Sequence, residues 1–221
     1  MKIAIFDVCD TLYRVNTSFA FLDSYFSGNG RYRLFRKFSR SFPGKLINYP
    51  FYKWMKYDLV RVAATRFLAG EDIREIEMSS REFVFNHLVN KINPQTEALL
   101  HELREAGYRI VLMSGSYGFI VAHVADYFSA DGFFASELAS AEGRLTGEFR
   151  ADQLFTKKMR MESVYPNIDE LVVVSDNKTD YDLLSTADKA YVVCNKKKDR
   201  DFWEQRFPDS SKVRYLETYD E

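Results

Sequence analysis

The sequence predicts an α/β protein with a doubly wound parallel sheet and a helical cap inserted after the first strand. Three short apolar runs, at residues 3–6, 110–113 and 171–174, are rich in Val and Ile, and a polar residue follows each of them. Runs of this length and composition are typical of parallel strands that are buried on both faces. Because helical patterns separate the runs, strand and helix alternate as in a Rossmann-like sheet.

Local signals place the elements along the chain. After the first strand, helical patterning extends from about residue 17 to residue 90. A helix then begins at Asn93, its N-cap, with Pro94 at the first position, and Gly107 ends it. The later predicted elements are a strand at 109–113, a helix over 120–128, a short strand near Phe133, a hairpin at Glu142-Gly143, a helix that Lys157 and Lys158 open, a strand at 171–175, a helix over 183–187 and a strand at 190–193.

The segment between the first two strands is far longer than a strand-to-helix crossover requires. We therefore predict that residues 15–91 form a helical cap domain over the crevice. The core domain would then consist of residues 1–14 and 92–221.

Composition indicates a chain that can bury a sizeable core. It has 221 residues, 46% of them hydrophobic, and a formal net charge of −1. Its two cysteines, Cys9 and Cys194, are too few for a disulfide framework and lack zinc-site spacing. The first strand begins at the N-terminus and no apolar run approaches membrane-spanning length, so we expect no signal peptide, no transmembrane helix and a cytoplasmic protein.

Polar side chains at the strand ends are expected to meet in one crevice. Asp7 and Ser114 directly follow the first two apolar runs. The third run leads to an acidic pair, Asp176 and Asp180, and two adjacent lysines precede it. The carboxyl ends of parallel strands share one edge of the sheet, where open α/β sheets bind their ligands. A carboxylate, a hydroxyl, a lysine and an acidic pair suit a phosphoryl group and a divalent cation.

In this order the segments resemble the motifs of the haloacid dehalogenase superfamily, in particular its phosphoserine-phosphatase-like branch. The resemblance implies that Asp7 is the nucleophile, that Thr11 is the motif threonine and that Ser114 is the phosphate-binding hydroxyl. Asp176 and Asp180 match the family's acidic pair. Two further stretches, 113–117 and 143–148, are similar to that branch rather than to the superfamily at large.

The acidic residues predict a Mg²⁺ site. A carboxylate that attacks phosphorus is repelled by the phosphoryl oxygens, and a divalent cation offsets that repulsion. Mg²⁺ would be held by Asp7, by the backbone carbonyl of Cys9 and by Asp176, with Asp180 completing the acidic set.

A second group of residues is predicted to bind the phosphoryl oxygens. Ser114 and the amide of Gly115 would donate hydrogen bonds, and a lysine would supply positive charge. Lys157 and Lys158 are both candidates, and helical spacing favours Lys157 as the inward residue. Thr11 is assigned to the same phosphate-binding set.

Cys9 departs from the pattern of the phosphatases that the chain resembles. Their second aspartate, two residues after the nucleophile, protonates the leaving group and then activates water. A thiol beside carboxylates has a raised pKa, so Cys9 is able to donate a proton but is a poor base for water. Asp10 is the alternative acid/base, provided that the turn directs it inward.

Substrate choice is narrowed by Asn16. Phosphoserine phosphatases carry a glutamate at the corresponding place, where it binds the substrate's amine, and a neutral amide cannot pair an ammonium group in the same way. Phosphoserine is therefore disfavoured. Another small phosphomonoester, a sugar phosphate and a lipid phosphate stay open.

The predicted cap is strongly basic. Residues 31–66 contain ten basic residues and one acidic residue, Asp58, with aromatic residues between them. Three interpretations compete. The aromatic residues at helical spacing pack the cap while the charges are solvated, or the segment attracts an anionic substrate or an anionic membrane surface, or, least favoured, it binds nucleic acid. The first interpretation assigns to the packed set Phe35, Phe38, Phe42, Phe51, Trp54, Met55 and Leu59.

The sequence thus predicts a Mg²⁺-dependent phosphatase or phosphotransferase that works through an aspartyl-phosphate on Asp7, with a small phosphorylated substrate as its partner. The alternative is a catalytically weak member of the superfamily that binds a phosphorylated ligand or an anionic membrane surface.

Overall fold

The computed structural model describes residues 1–208 and 211–219. In this part of the chain a seven-stranded sheet has the order β4-β3-β2-β1-β5-β6-β7, and only the β3–β4 pair is antiparallel. The strands are β1 (Lys2–Phe6), β2 (Arg109–Tyr117), β3 (Gly132–Ala141), β4 (Arg144–Ala151), β5 (Glu170–Ser175), β6 (Lys189–Cys194) and β7 (Val213–Glu217). The predicted α/β fold with a mostly parallel sheet is confirmed.

Helices cover both faces of the sheet, and six of the described α-helices precede β2. They are α1 (Thr17–Tyr25), α2 (Gly30–Arg40), α3 (Phe42–Trp54), α4 (Leu59–Thr65), α5 (Ile73–Glu82), α6 (Pro94–Glu105), α7 (Gly118–Tyr127), α8 (Lys157–Val164), α9 (Tyr181–Thr186) and α10 (Lys197–Arg206). Short 3-10 and π turns connect α4 to α5 and α5 to α6. No helix of the described residues has the length and apolar character needed to span a membrane.

The apolar run of β1 is continuous because the strand is buried on both faces of the sheet. Successive side chains of a strand point to opposite faces, and in β1 all four residues after Lys2 are buried. Ala4 and Phe6 belong to a cluster that includes residues of α1, α2, α4 and α5. Ile3 and Ile5 pack on the other side with residues such as Trp203 of α10. Helices α1, α2, α4 and α5 therefore share one core with a face of the sheet, and the division into core and cap domains stays a prediction.

Two local predictions are confirmed by backbone geometry. Asn93 caps α6, with its side chain accepting a hydrogen bond from the amide of Gln95 at 3.3 Å. Glu142 and Gly143 join β3 to β4 with φ angles of +51° and +77°. A two-residue hairpin turn of this kind requires positive φ at both positions, which glycine adopts without strain.

The sequence prediction missed the last two elements, α10 and β7. Within α10 only Trp203 is fully buried, so the helix lacks a clear apolar stripe. β7 lies at the edge of the sheet and buries only Val213 completely. Both elements are recognisable only because they pack against β6.

The aromatic residues of α2 and α3 also correct the sequence analysis. One of the three competing interpretations gave them the packing of the cap, but Phe38, Phe42, Trp54 and Met55 are exposed, by 50% to 78%. Phe35 and Phe51 are half-buried, as that interpretation requires. The assignment was wrong for the first four because helical spacing does not tell which side of a helix faces the protein.

Candidate active site

The carboxyl ends of the three central strands form one pocket. Register brings Asp7, just beyond β1, beside β5, and its amide donates to the Val174 carbonyl at 2.9 Å. Ser114 lies on β2, which pairs with β1 on the other side. The pocket has a volume of about 220 Å³. Its lining consists of Asp7, Cys9, Asp10, Asn16, Ser18, Tyr52, Asp58, Arg61, Ser114, Gly115, Ser116, Leu154, Asp176 and Asn177.

Lys157 bridges two buried carboxylates, Asp7 of the pocket lining and Asp180, and like Asp180 it is not itself part of that lining. Its Nζ lies 3.0 Å from Asp7 Oδ2 and 2.6 Å from Asp180 Oδ2, and all three side chains are almost fully buried. The Ser175 hydroxyl donates a second hydrogen bond to Asp180 Oδ2 at 2.7 Å. Burial alone would lower the pKa of Lys157, but Asp180 and Asp7 outweigh it and the pKa is raised. Lys157 is therefore a fixed positive charge next to Asp7.

Lys158, the other candidate, does not reach this cluster. Its side chain is 39% exposed, and its Nζ is 3.8 Å from Glu162 Oε1 on the same helix. The two lysines differ because Lys157 shares the buried face of α8 with Met161, one turn further on. Of the two lysines, the structure brings only Lys157 into contact with the predicted nucleophile.

The predicted nucleophile is held in a defined orientation. The amide of Val8 donates to Asp7 Oδ1 at 2.7 Å, while Lys157 contacts Oδ2. Burial, opposed by Lys157 and reinforced by repulsion from Asp180, raises the pKa of Asp7 to about 6. A carboxylate with a pKa near 6 is mostly ionised at neutral pH, as a nucleophile must be.

Asp176 lies near Asp7 and is held by Thr11. The Thr11 hydroxyl donates to Asp176 Oδ1 at 2.9 Å and accepts from the Asp176 amide at 3.0 Å. Burial, with repulsion from Asp7 and Asp10, raises the pKa of Asp176 well above its usual range. Thr11 is fully buried and is not part of the pocket lining, so its contacts support Asp176 rather than a phosphoryl oxygen.

The residues present fit a bound Mg²⁺ ion. Asp7 and Asp176 are acidic, close together and electrostatically unfavourable without a counter-charge. Mg²⁺ is commonly held by one or two carboxylates together with waters and substrate phosphates, so two carboxylates and the Cys9 carbonyl suffice. The described residues contain no cluster of three His, Cys, Asp or Glu side chains that could hold a metal ion, so the predicted set of Asp7, Asp176 and Asp180 is not assembled as one such cluster. Asp180 is engaged by Lys157 and Ser175, which makes it a support for the lysine.

The backbone around Ser114 and Gly115 of β2 lies close to Leu154 of the pocket wall. The Ser114 hydroxyl accepts a hydrogen bond from the Ser116 amide at 3.1 Å. A Cβ added at Gly115 would lie 3.0 Å from a Leu154 side-chain carbon, so a larger residue would crowd the pocket wall. The predicted phosphate-binding pair, Ser114 and Gly115, therefore lies in the pocket with Asp7.

Cys9 faces a chain of hydroxyl groups. Its Sγ lies 3.1 Å from Thr17 Oγ1 and accepts from the Thr17 amide at 3.3 Å. Thr17 in turn lies 2.8 Å from Ser116 Oγ, which is 2.9 Å from Ser18 Oγ. Burial, reinforced by Asp7, raises the pKa of Cys9 to about 11. The thiol is consequently protonated at neutral pH.

Asp10 and Asn16 also reach the pocket lining. Asp10 has a φ angle of +53°, and its carbonyl accepts from Asn195 Nδ2 at 2.8 Å, which fixes the turn. Burial raises the pKa of Asp10, although Lys196 opposes the effect. Asn16 caps α1 by accepting from the Phe19 amide at 3.1 Å. Its side-chain oxygen is therefore already engaged.

Sequence reasoning missed Arg61, Tyr52 and Asp58 as pocket residues. Arg61 Nη1 donates to the Gly115 carbonyl at 2.7 Å, and Nη2 pairs with Asp152. Its Nε has no hydrogen-bond partner among the described residues although it is buried. Arg61 counted only toward the basic composition of the cap. No local motif marks it, because its role depends on α4 lying close to the carboxyl end of β2.

Family comparison agrees with this geometry. Residues 4–185 match the family model of the haloacid dehalogenase-like hydrolases, so the chain belongs to that family. It is 24% identical over 118 residues to phosphoserine phosphatase of Methanocaldococcus jannaschii, a match that spans 49% of this chain and 55% of that protein.

Two solved structures show the same fold over most of their length. A Bordetella pertussis Tohama I protein of unknown function superposes with a TM-score of 0.70 at 18% identity, covering 93% of this chain and 95% of that one. A phospho-aspartyl intermediate analogue of phosphoserine phosphatase gives a TM-score of 0.60 at 19% identity, covering 90% of each chain. The chain is therefore a haloacid dehalogenase-like hydrolase whose fold is similar to that of the phosphoserine phosphatases.

Proposed function

We propose that this chain is a Mg²⁺-dependent phosphohydrolase that transfers the phosphoryl group of a small phosphomonoester to Asp7 and then to water. The observation that carries the proposal is the buried Asp7–Lys157–Asp180 cluster, whose Asp7 lines the same pocket as Ser114. Burying three charged side chains is costly even when they are paired, and such clusters of perturbed ionisable groups are typical of functional sites. The cytoplasmic location and the division into two domains remain predictions.

In the first step, a carboxylate oxygen of Asp7 forms a bond to phosphorus while the bond to the leaving oxygen breaks. Val8 and Lys157 hold the carboxylate, so little reorganisation is needed. Ser114 and the Gly115 amide would donate to the phosphoryl oxygens, and the fixed charge of Lys157 would offset their charge. Mg²⁺ bound by Asp7, the Cys9 carbonyl and Asp176 would reduce repulsion between the phosphoryl group and the carboxylates.

Proton transfer distinguishes this site from that of a phosphatase with two aspartates. The departing oxygen needs a proton, and Cys9 is protonated at neutral pH. In the second step, water attacks phosphorus, releases phosphate and frees Asp7. That step needs a base, and Cys9 is able to serve only if it gave up its proton in the first step, which a pKa of about 11 disfavours. We therefore propose slow hydrolysis of the phospho-aspartate, with Asp10 as the alternative base.

The substrate is proposed to be a small phosphomonoester other than phosphoserine. The pocket is small, at about 220 Å³, and Asn16 offers no charge for an ammonium group. Arg61 and Asp58 lie on the pocket wall, where they would contact the part of the substrate beyond the phosphoryl group. Sugar phosphates and the head groups of lipid phosphates satisfy these requirements.

The proposal is tested by replacing the nucleophile. Asp7→Asn should lower turnover of an aryl phosphate by at least about 10³-fold, because the covalent step is lost. An acid-quenched reaction with labelled substrate should show phosphate bound to wild-type protein and none bound to the variant. Asp201→Asn, at an exposed position of α10, is the control. Unchanged turnover in Asp7→Asn would contradict the mechanism.

A further inference from the structure

The outer side of α2 and α3 carries a concentration of exposed apolar side chains. Phe42, Trp54 and Leu34 are 78%, 74% and 71% exposed. Exposed apolar residues that occur singly are ordinary, but contiguous ones mark an interaction site. We define the α2–α3 face by its exposed apolar residues, which are Leu34, Phe38, Phe42, Leu46, Ile47, Tyr49, Trp54 and Met55.

Helix α3 is amphipathic in an unusual sense, because its outward side is the apolar one. Phe42, Leu46 and Tyr49 follow the i, i+4, i+7 spacing of a single helix face, and all three are exposed. On the opposite side Gly44 is buried and Tyr52 reaches the active-site pocket. The outward side thus has no cover from the described residues of this chain.

Positive charge surrounds the α2–α3 face. Residues 30–57 contain eight basic residues and no acidic residue. Arg36 and Arg40 pair with Asp23 of α1. The other six are exposed and form no salt bridge among the described residues, and they are Arg31, Arg33, Lys37, Lys45, Lys53 and Lys56.

The two helices are held together as one surface. A Cβ at Gly44 would lie only 2.3 Å from the Phe38 carbonyl oxygen, so α3 approaches the end of α2 as closely as glycine allows. Ser41 links them, since it ends α2 and caps α3 by accepting from the Gly44 amide at 3.4 Å. The basic and apolar groups of both helices are therefore presented together.

We propose that the α2–α3 face binds an anionic lipid bilayer. Interfacial helices combine basic residues with Trp, Phe and Leu, because the charges attract acidic head groups while the apolar side chains enter the acyl boundary. A second copy of the chain would bring the same positive charge and be repelled. A nucleic acid would satisfy the charges but leave aliphatic residues such as Leu34 and Leu46 exposed to water.

The surface is tested by sedimentation with lipid vesicles. Wild-type protein should bind vesicles of phosphatidylglycerol and phosphatidylcholine, and binding to pure phosphatidylcholine should be much weaker. Lys37→Glu/Lys45→Glu/Lys53→Glu should weaken binding to the anionic vesicles by on the order of 100-fold. Added salt should weaken wild-type binding as well.

A second variant separates the apolar contribution from the charges. Phe42→Ser/Leu46→Ser/Trp54→Ser keeps every charge and should also lose most vesicle binding. The matched control, Lys197→Glu/Lys198→Glu/Arg214→Glu, makes the same charge change at exposed positions on another part of the surface and should bind as wild type does. Circular dichroism and the unfolding temperature establish that each variant is folded.

Three outcomes would overturn the proposal. The first is absence of wild-type binding to anionic vesicles at low salt. The second is equal loss in the control variant, which would show that net charge alone matters. The third is a dimer in sedimentation velocity without lipid that the apolar variant abolishes, which would identify a second copy as the occupant. None of these measurements depends on turnover, so the surface and the proposed reaction are tested separately.

Discussion

The active-site pocket and the α2–α3 face depart in opposite ways from the usual distribution of side chains, in which charged residues are exposed and apolar residues are buried. At the pocket, Asp7, Lys157 and Asp180 are charged yet almost fully buried. On the α2–α3 face, Phe42 and Trp54 are apolar yet mostly exposed. The buried charges compensate one another through contacts of 2.6 and 3.0 Å, whereas no described part of the chain covers the aromatic side chains. A pocket whose buried charges are already paired is suited to a small ligand. A surface whose apolar side chains are uncovered is suited to a large partner that covers them.

The largest expected effect concerns Cys9 and the proton that the pocket must move. Cys9→Asp should raise turnover of an alkyl phosphate by about 10²–10⁴-fold, because it supplies the general acid and base that the thiol cannot. The gain with an aryl phosphate should be smaller, since its leaving group needs little protonation. Steady-state kinetics with one ester of each kind measures the difference.

Asp10 decides how that result is interpreted. If Asp10 already acts as the base, Asp10→Asn should be as damaging as loss of the nucleophile, and Cys9→Asp should add little. No improvement in Cys9→Asp together with an unaffected Asp10→Asn would contradict both assignments of the acid/base.

The two adjacent lysines test the buried side of the comparison. Lys157→Ala should lower turnover by about 10²-fold or more, because it removes the charge that faces Asp7 and the phosphoryl group. Lys158→Ala is the matched control and should keep normal turnover, because its contact is with Glu162. Equal kinetic parameters for the two variants would remove Lys157 from the mechanism.

Asp176 provides a test through stability and pH. Its folded-state pKa is raised, so its contribution to stability is present at low pH and is lost as pH rises through that pKa. Without Mg²⁺, Asp176→Asn should therefore stabilise the fold near neutral pH, and the gain should disappear as pH falls and Asp176 becomes protonated in both the folded and the unfolded state. Urea unfolding in EDTA measures this.

With added Mg²⁺ the wild type should become more stable than Asp176→Asn. Only the wild type keeps both Asp7 and Asp176 as carboxylates, and an ion bound to them stabilises the folded state. Asp201→Asn should show neither effect. A metal-free Asp176→Asn protein that is less stable than wild type at every pH would show that the two carboxylates do not repel each other as proposed.

The smallest effect is expected on the exposed side of the comparison. Leu22→Ala and Leu46→Ala remove the same atoms from two helices, but Leu22 is fully buried and Leu46 is 60% exposed. Leu22→Ala should cost about 2–5 kcal/mol of unfolding free energy, and Leu46→Ala should change it by less than about 0.5 kcal/mol. A large loss in Leu46→Ala would mean that the α2–α3 face packs against the protein itself.

Much of the fold could be predicted because its signals are local. The apolar runs of β1, β2 and β5, the Asn93 cap and the Glu142-Gly143 turn depend on neighbouring residues alone. The edge element β7 and helix α10 were missed, since their patterns are weak and their stability comes from packing on β6.

The residues of the candidate site also fall into those that local sequence signals indicate and those that only tertiary packing brings into the site. Asp7 and Asp176 follow β1 and β5, and Ser114 lies near the carboxyl end of β2. These three could be found because parallel strands bring their carboxyl ends together. Arg61 could not, because it comes from α4 and reaches the Gly115 carbonyl only through tertiary packing. The contact of Thr11 could not be predicted either, because its hydroxyl donates a hydrogen bond to Asp176, which is 165 residues away in sequence.

The sequence by itself therefore determined the strand ends, the order of the motifs and the excess of basic and aromatic residues in residues 31–66. Only the tertiary structure decided that Lys157 joins Asp7 to Asp180, that Arg61 enters the pocket wall and that Phe42 and Trp54 face outward. The physical reason is that a few residues of a buried strand indicate both that its side chains are buried and to which face of the sheet each one points. A helix with apolar residues around much of its circumference leaves its buried side to be chosen by the elements that pack against it.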